Sequence, residues 1–168
     1  DLDGHLDILA VHGRVLRGPL DEACVEPPHW RPYAERNLAM LGDGKRFRTV
    51  PAGDFDALAE TSRGLSIGDV DGDGDLDALV TTAAGAVRLY FSKGPPLGQW
   101  LGVRAEEHGR DSLGAEVTVK TATGSWTRTI QSAHGYLSAS EPVARFGLGD
   151  GDTLEALQIR WPDGVVES

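Results

Sequence analysis

The stretch DVDGDGDLD, residues 69–77, sets five aspartates, Asp69, Asp71, Asp73, Asp75 and Asp77, on alternate positions. Carboxylates about 5 Å apart repel by somewhat under 1 kcal/mol per pair in water, and far more once a fold desolvates them. A hard divalent cation is the simplest compensation. Calcium accepts six to eight oxygens in a flexible geometry, which a short loop can supply. The side chains of Asp69, Asp71, Asp73 and Asp77 fall at loop positions 1, 3, 5 and 9, the carbonyl of Asp75 at position 7, and Gly74 at position 6 permits the bend around the ion. An EF-hand begins alike but needs a bidentate Glu at position 12, and that place is held by Val80, in an apolar run. The spacing therefore predicts a nine-residue calcium loop between two strands. Magnesium demands stricter octahedral geometry and retains more water, and zinc prefers His or Cys ligands.

The opening DLDGHLD repeats this phrase with its beginning missing. DLDGHLDILAV, residues 1–11, aligns without gaps on residues 71–81, and Asp1, Asp3, Gly4, Leu6, Asp7 and Leu9 recur there unchanged. On the same template Asp1, Asp3 and Asp7 take positions 3, 5 and 9 and the His5 carbonyl position 7, with position 1 absent. This second metal site, Asp1, Asp3, His5 and Asp7, is expected to be weak or empty.

Strands must position both loops. GLSIG, LDALVTT and AVRLYFS read as strand, aspartate loop, strand, turn, strand, and LDILAV near the N-terminus reads as a further strand. NLAML and KRFRTV flank GDG, a hairpin signal, because Asp and Gly tolerate the positive φ of tight turns. Four prolines make residues 17–36 a long loop, and DFDALAE reads as a short helix capped by Asp54. The segment 94–99 reads as a linker between a domain over 1–93 and a domain over 100–168. Beyond it WLGVRAE, GAEVTVKT, SWTRTIQS, VARFGLG and LEALQIRWP are short, often alternating segments. Val117 and Val119 oppose Thr118 and Lys120, and Leu157, Ile159 and Trp161 oppose Gln158 and Arg160. Five or six short strands with turns between them predict a small β-sandwich or barrel, so the fold class is all-β.

With 16 Lys and Arg against 26 Asp and Glu, a net charge of -10 disfavours nucleic acid or an anionic membrane surface as partner. No apolar run approaches the length of a membrane helix, so no membrane insertion is expected. The single cysteine, Cys24, cannot form an internal disulfide and reads as a half-buried small hydrophobe.

The stretch GLSIGDVDGDGDLDALVTTAAGAVRLYFS resembles an FG-GAP/VCBS repeat, the calcium-binding blade of some β-propellers, and NLAMLGDGKRFRTV looks like the hairpin between such blades. Residues 100–167 resemble the ASPIC/UnbV domain through Trp100-Leu101-Gly102, Gly114-Ala115, Gly135-Tyr136-Leu137-Ser138, Phe146-Gly147-Leu148-Gly149 and Arg160-Trp161-Pro162-Asp163-Gly164. The module order is that of the cartilage acidic protein-like family, and residues 17–36 are an insertion with no counterpart in the usual repeat. The resemblance implies one to two calcium-binding blades of a larger propeller, followed by a small β domain, in a protein exported to an extracellular or periplasmic location. A propeller closes with roughly four to eight blades, so the chain reads as the C-terminal part of a longer protein whose exposed blade edges would dimerise by strand pairing.

His134 lies near Ser132, Ser138 and Ser140, but no nucleophile elbow or orienting acid accompanies it, and a structural turn is the better reading. GDGK at 42–45 lacks the spacing of a phosphate loop. Trp100 and Trp161 are expected in the core of the second domain. The chain is thus expected to be non-catalytic, a calcium-stabilised binding or adhesion module for a protein or glycan. The alternative is a set of accessory domains of a secreted enzyme whose catalytic part lies upstream or on a partner chain.

Overall fold

The computed structural model describes residues 3–93, 98–149 and 153–168. They form an all-β chain whose strands lie in six separate sheets, none closed. The strands are β1 (Ile8–Ala10), β2 (Glu35–Arg36), β3 (Leu38–Gly42), β4 (Phe47–Val50), β5 (Ala59–Glu60), β6 (Ser62–Gly68), β7 (Asp77–Thr82), β8 (Arg88–Tyr90), β9 (Gln99–Val103), β10 (Glu106–Glu107), β11 (Arg110–Asp111), β12 (Glu116–Thr121), β13 (Ser125–Thr129), β14 (Ala144–Gly149), β15 (Leu154–Arg160) and β16 (Val166–Glu167). One helical turn, α1 (Asp54–Ala57), and a 3-10 turn, Arg31–Tyr33, interrupt them. The chain divides into two compact units, one formed by His5–Lys93 with His134–Ala139, the other by the remainder.

The first unit holds two three-stranded antiparallel sheets, ordered β1-β3-β4 and β6-β7-β8. They are repeats of one design. Ile8 pairs with Met40 and the equivalent Ala78 pairs with Tyr90, so β1 corresponds to β7 and β3 to β8. A short turn joins β7 to β8, whereas residues 11–37 join β1 to β3. The proline-rich insertion therefore occupies a turn that the second sheet closes in a few residues. It is not a featureless loop. Its backbone forms the 3-10 turn and places β2 against β5, and Arg36 grips Asp21 with two hydrogen bonds of 2.9 and 3.1 Å. Phe55, Ala78 and Val80 make the buried core, edged by Leu9, Val11, Ala52, Leu65 and Tyr90. Asp54 is the first residue of α1, following Gly53 at φ +61°, so it supplies first-turn negative charge and not the expected cap.

In the second unit β12 is central to a four-stranded sheet ordered β13-β12-β15-β16, and β14 pairs with β9. The alternation works as read: Val117 and Val119 are fully buried with Phe146, Ile130 and Ala115, and Leu157, Ile159 and Trp161 pack on them. Trp100 departs from expectation. The residue is 43% exposed, and its ring lies under the Arg145 guanidinium, 5.6 Å from the ring centroid. An indole that stacks on a cation needs no place in the core, because the ring face attracts the charge while the edge stays wet.

Candidate metal centre

The 69–77 loop closes the hairpin of β6 and β7, whose last paired residues are Gly68 and Asp77. Antiparallel pairing brings the two ends of the loop together, so position 1 and position 9 meet although eight residues apart. Carboxylate oxygens of Asp69, Asp71 and Asp77 all lie within 4.8 Å of one another. Among the described residues this is the one set of three or more His, Cys, Asp or Glu side chains that converge so closely.

The backbone is shaped to hold them there. Gly72 and Gly74 adopt φ of +79° and +97°, conformations that cost an L side chain strain. The amide N–H groups of these two glycines donate to the two oxygens of Asp69, at 2.8 and 3.1 Å. Asp77 is buried, and its oxygens accept the N–H of Val70 at 2.8 Å and of Ser92 at 2.9 Å. Asp73 turns locally, accepting the N–H of Asp75 at 2.9 Å. Each carboxylate oxygen has a second lone pair, so these amide bonds leave metal-binding capacity intact. Desolvation by the surrounding loop, and then repulsion from Asp73 and Asp77, push the exposed Asp71 carboxyl above the usual carboxylate value.

The donors are oxygens alone, they are anionic, and three converge from a bent loop, which fits calcium better than zinc. Of the predicted residues, the fold brings together Asp69, Asp71 and Asp77. Asp73, expected as a side-chain ligand at position 5, and Asp75 line the same loop without joining that set of side chains.

For the shortened N-terminal phrase, Asp1 lies outside the described residues. Asp7 reproduces its counterpart closely: its Oδ1 accepts the N–H of Gly42 at 2.9 Å, one residue beyond the paired partner strand position, as Asp77 does with Ser92. The ninth loop position is thus a strand-tying acceptor as well as a ligand candidate, a role that spacing alone does not reveal. The His5 ring rests on the Gly44 turn, where a Cβ would come within 3.0 Å of Nδ1.

The C-terminal part can be placed by comparison with known proteins. Residues 105–168 match the family model described as ASPIC and UnbV. The chain carries an ASPIC/UnbV domain there. It is also similar to cartilage acidic protein 1 of Xenopus tropicalis, with 35% identity over 118 residues, 66% of this chain and 18% of that protein. The same protein of Mus musculus and of Homo sapiens shows 34% identity over 120 residues, covering 67% of this chain and 18% of theirs. The chain therefore spans about a fifth of the length of the relatives it matches. The ASPIC/UnbV match takes in the second core, including Val117, Phe146 and Trp161. No helix among the described residues is long and apolar enough to cross a membrane.

Proposed function

We propose that this chain is a non-catalytic, calcium-stabilised binding or adhesion module that works outside the cell or in the periplasm. The convergence of the Asp69, Asp71 and Asp77 carboxylates at the mouth of the β6–β7 hairpin carries this reading. Calcium would supply the positive charge that joins both ends of the loop, with Asp73 and the Asp75 carbonyl completing an oxygen shell. The two sheets β1-β3-β4 and β6-β7-β8 are taken as parts of consecutive FG-GAP/VCBS blades, three strands of each lying among the described residues. Two observations support this: the matched register at Ile8 and Ala78, and the matched amide bonds of Asp7 and Asp77. The edges of β1 and β8, which pair with no further strand among the described residues, would then receive strands from the rest of a longer protein or from a second copy.

The similarity to cartilage acidic protein 1 supports an exported location. The net charge of -10 fits a protein that gathers cations, and a protein or glycan is the proposed ligand. Isothermal titration with calcium tests the reading. One equivalent should bind at 69–77, and that equivalent should be lost after Asp71→Asn; unchanged calcium binding in that variant removes the loop from the account.

A further inference from the structure

A second oxygen cluster lies at the other end of the same hairpin. Register places Ser62 opposite Thr82 at one end of β6 and Gly68 opposite Asp77 at the other, so the length of the strand separates this cluster from the aspartate loop. Glu26, from the proline-rich insertion, and Glu60, from β5, are each only 2% exposed. Glu60 is held by Arg88, whose Nε and Nη2 donate to its two oxygens at 2.6 and 2.8 Å. Glu26 is held through one oxygen alone: Oε1 accepts both the amide and the hydroxyl of Thr61, each at 2.8 Å. Its Oε2 is fully buried and meets no donor among the described residues.

Gly85 leaves a cradle beside these groups. The point where a Cβ on Gly85 would stand is 3.0 Å from Thr82 Oγ1, 3.3 Å from Glu60 Oε1 and 3.5 Å from Glu26 Oε1. Three side-chain oxygens thus face one small space that a glycine keeps open. Two carboxylates and one guanidinium leave a residual charge of one negative unit, and a buried charge requires a paired counter-charge. Every donor atom in the cradle is oxygen, which selects a hard cation over a soft one.

We infer that the cradle formed by Glu26, Glu60 and Thr82 around Gly85 binds one hard cation, sodium or calcium, independently of the aspartate loop. The ion ties the insertion to the β6–β7 hairpin, which explains why a segment so rich in proline delivers a glutamate into the interior.

The test uses the 168-residue chain carrying Asp71→Asn, so that the aspartate loop does not report. The protein is stripped with chelator into choline chloride, and sodium or calcium is added singly. One of the two should raise the Tm saturably, by roughly 5–10 °C at a hundredfold excess over its Kd. Glu26→Gln and Gly85→Ala, each in the same background, should lose that rise. Gly85→Ala fills the cradle and removes no charge, so it decides the matter if Glu26→Gln does not fold. The inference is overturned if neither ion moves the Tm of the Asp71→Asn chain, or if the shift persists in Gly85→Ala. Because the loop is silenced throughout, a failure here leaves calcium binding at 69–77 to be judged by its own titration.

Discussion

Replacing Asp77 by alanine should destabilise the first unit even when no calcium is present. The buried carboxylate accepts two backbone N–H groups, from Val70 at 2.8 Å and Ser92 at 2.9 Å, and so ties the loop entrance and the end of β8 to β7. A hydrogen bond to a charged group contributes about 1.5–3 kcal/mol net, and water can reach the Val70 side of the loop, so the pair is worth about 3 kcal/mol. Removing the charge also relieves its repulsion with Asp69, at a separation within 4.8 Å worth about 1 kcal/mol in water. The net cost in chelator is then about 2 kcal/mol, a fall in Tm of roughly 4–8 °C for a chain of this size. Through the loop, calcium at a hundred times its Kd would add about 2.7 kcal/mol to the native protein and nothing to the variant, widening the gap. Asp71→Asn behaves differently: in chelator its Tm should hold or rise, because that carboxyl is exposed and repelled by its neighbours. Scanning calorimetry of both variants with chelator and with calcium reads all four values. If Asp77→Ala and the native chain melt together in chelator, the amide bonds drawn to Asp77 do not hold the fold.

Phe146→Ala should cost about 3–5 kcal/mol, since Phe146 is 2% exposed in the second core and its ring also carries the Arg128 guanidinium; urea denaturation followed by Trp fluorescence measures it. Arg88→Met should cost about 3 kcal/mol, because it strands the buried Glu60 charge, and the double change with Glu60→Leu should recover much of that loss in the same assay. The Arg36 guanidinium beside Asp21, helped by the Ala23 amide, lowers the Asp21 carboxyl to about 2. A lowered carboxyl contributes stability that is complete above its unfolded value of 3.8 and is lost as pH falls through about 2. Asp21→Asn should therefore lower the Tm at pH 6 and make no difference near pH 1.5.

Strand alternation was legible in the sequence where one sheet face is buried and the other is wet, as in β12, where Val117 and Val119 point inward and Thr118 and Lys120 outward. The aspartate loop was legible for a related reason: its converging carboxylates come from one short stretch of chain, so they keep a fixed spacing. The order of the 17–36 insertion was not, because it rests on pairs far apart in the chain. Glu26 meets Thr61 across 35 positions and Arg14 meets Glu35 across 21, and such pairs leave no periodic trace. Trp100 was misplaced because aromatic size signals burial, while stacking on Arg145 gives the same ring a use at the surface. The second function of Asp7 and Asp77 became visible only when the partner strands, reached through connections of very different length, could be compared.

The central claim is that 69–77 is a calcium loop stabilising the first unit. Calcium titration calorimetry on the native chain and on Asp71→Asn, paired with thermal melts in calcium and in chelator, tests it most directly. The account predicts calcium binding at 69–77 and a higher Tm for the native chain, both lost at that loop in the variant. Equal melting of the native chain in calcium and in chelator, with no heat of binding, would contradict it.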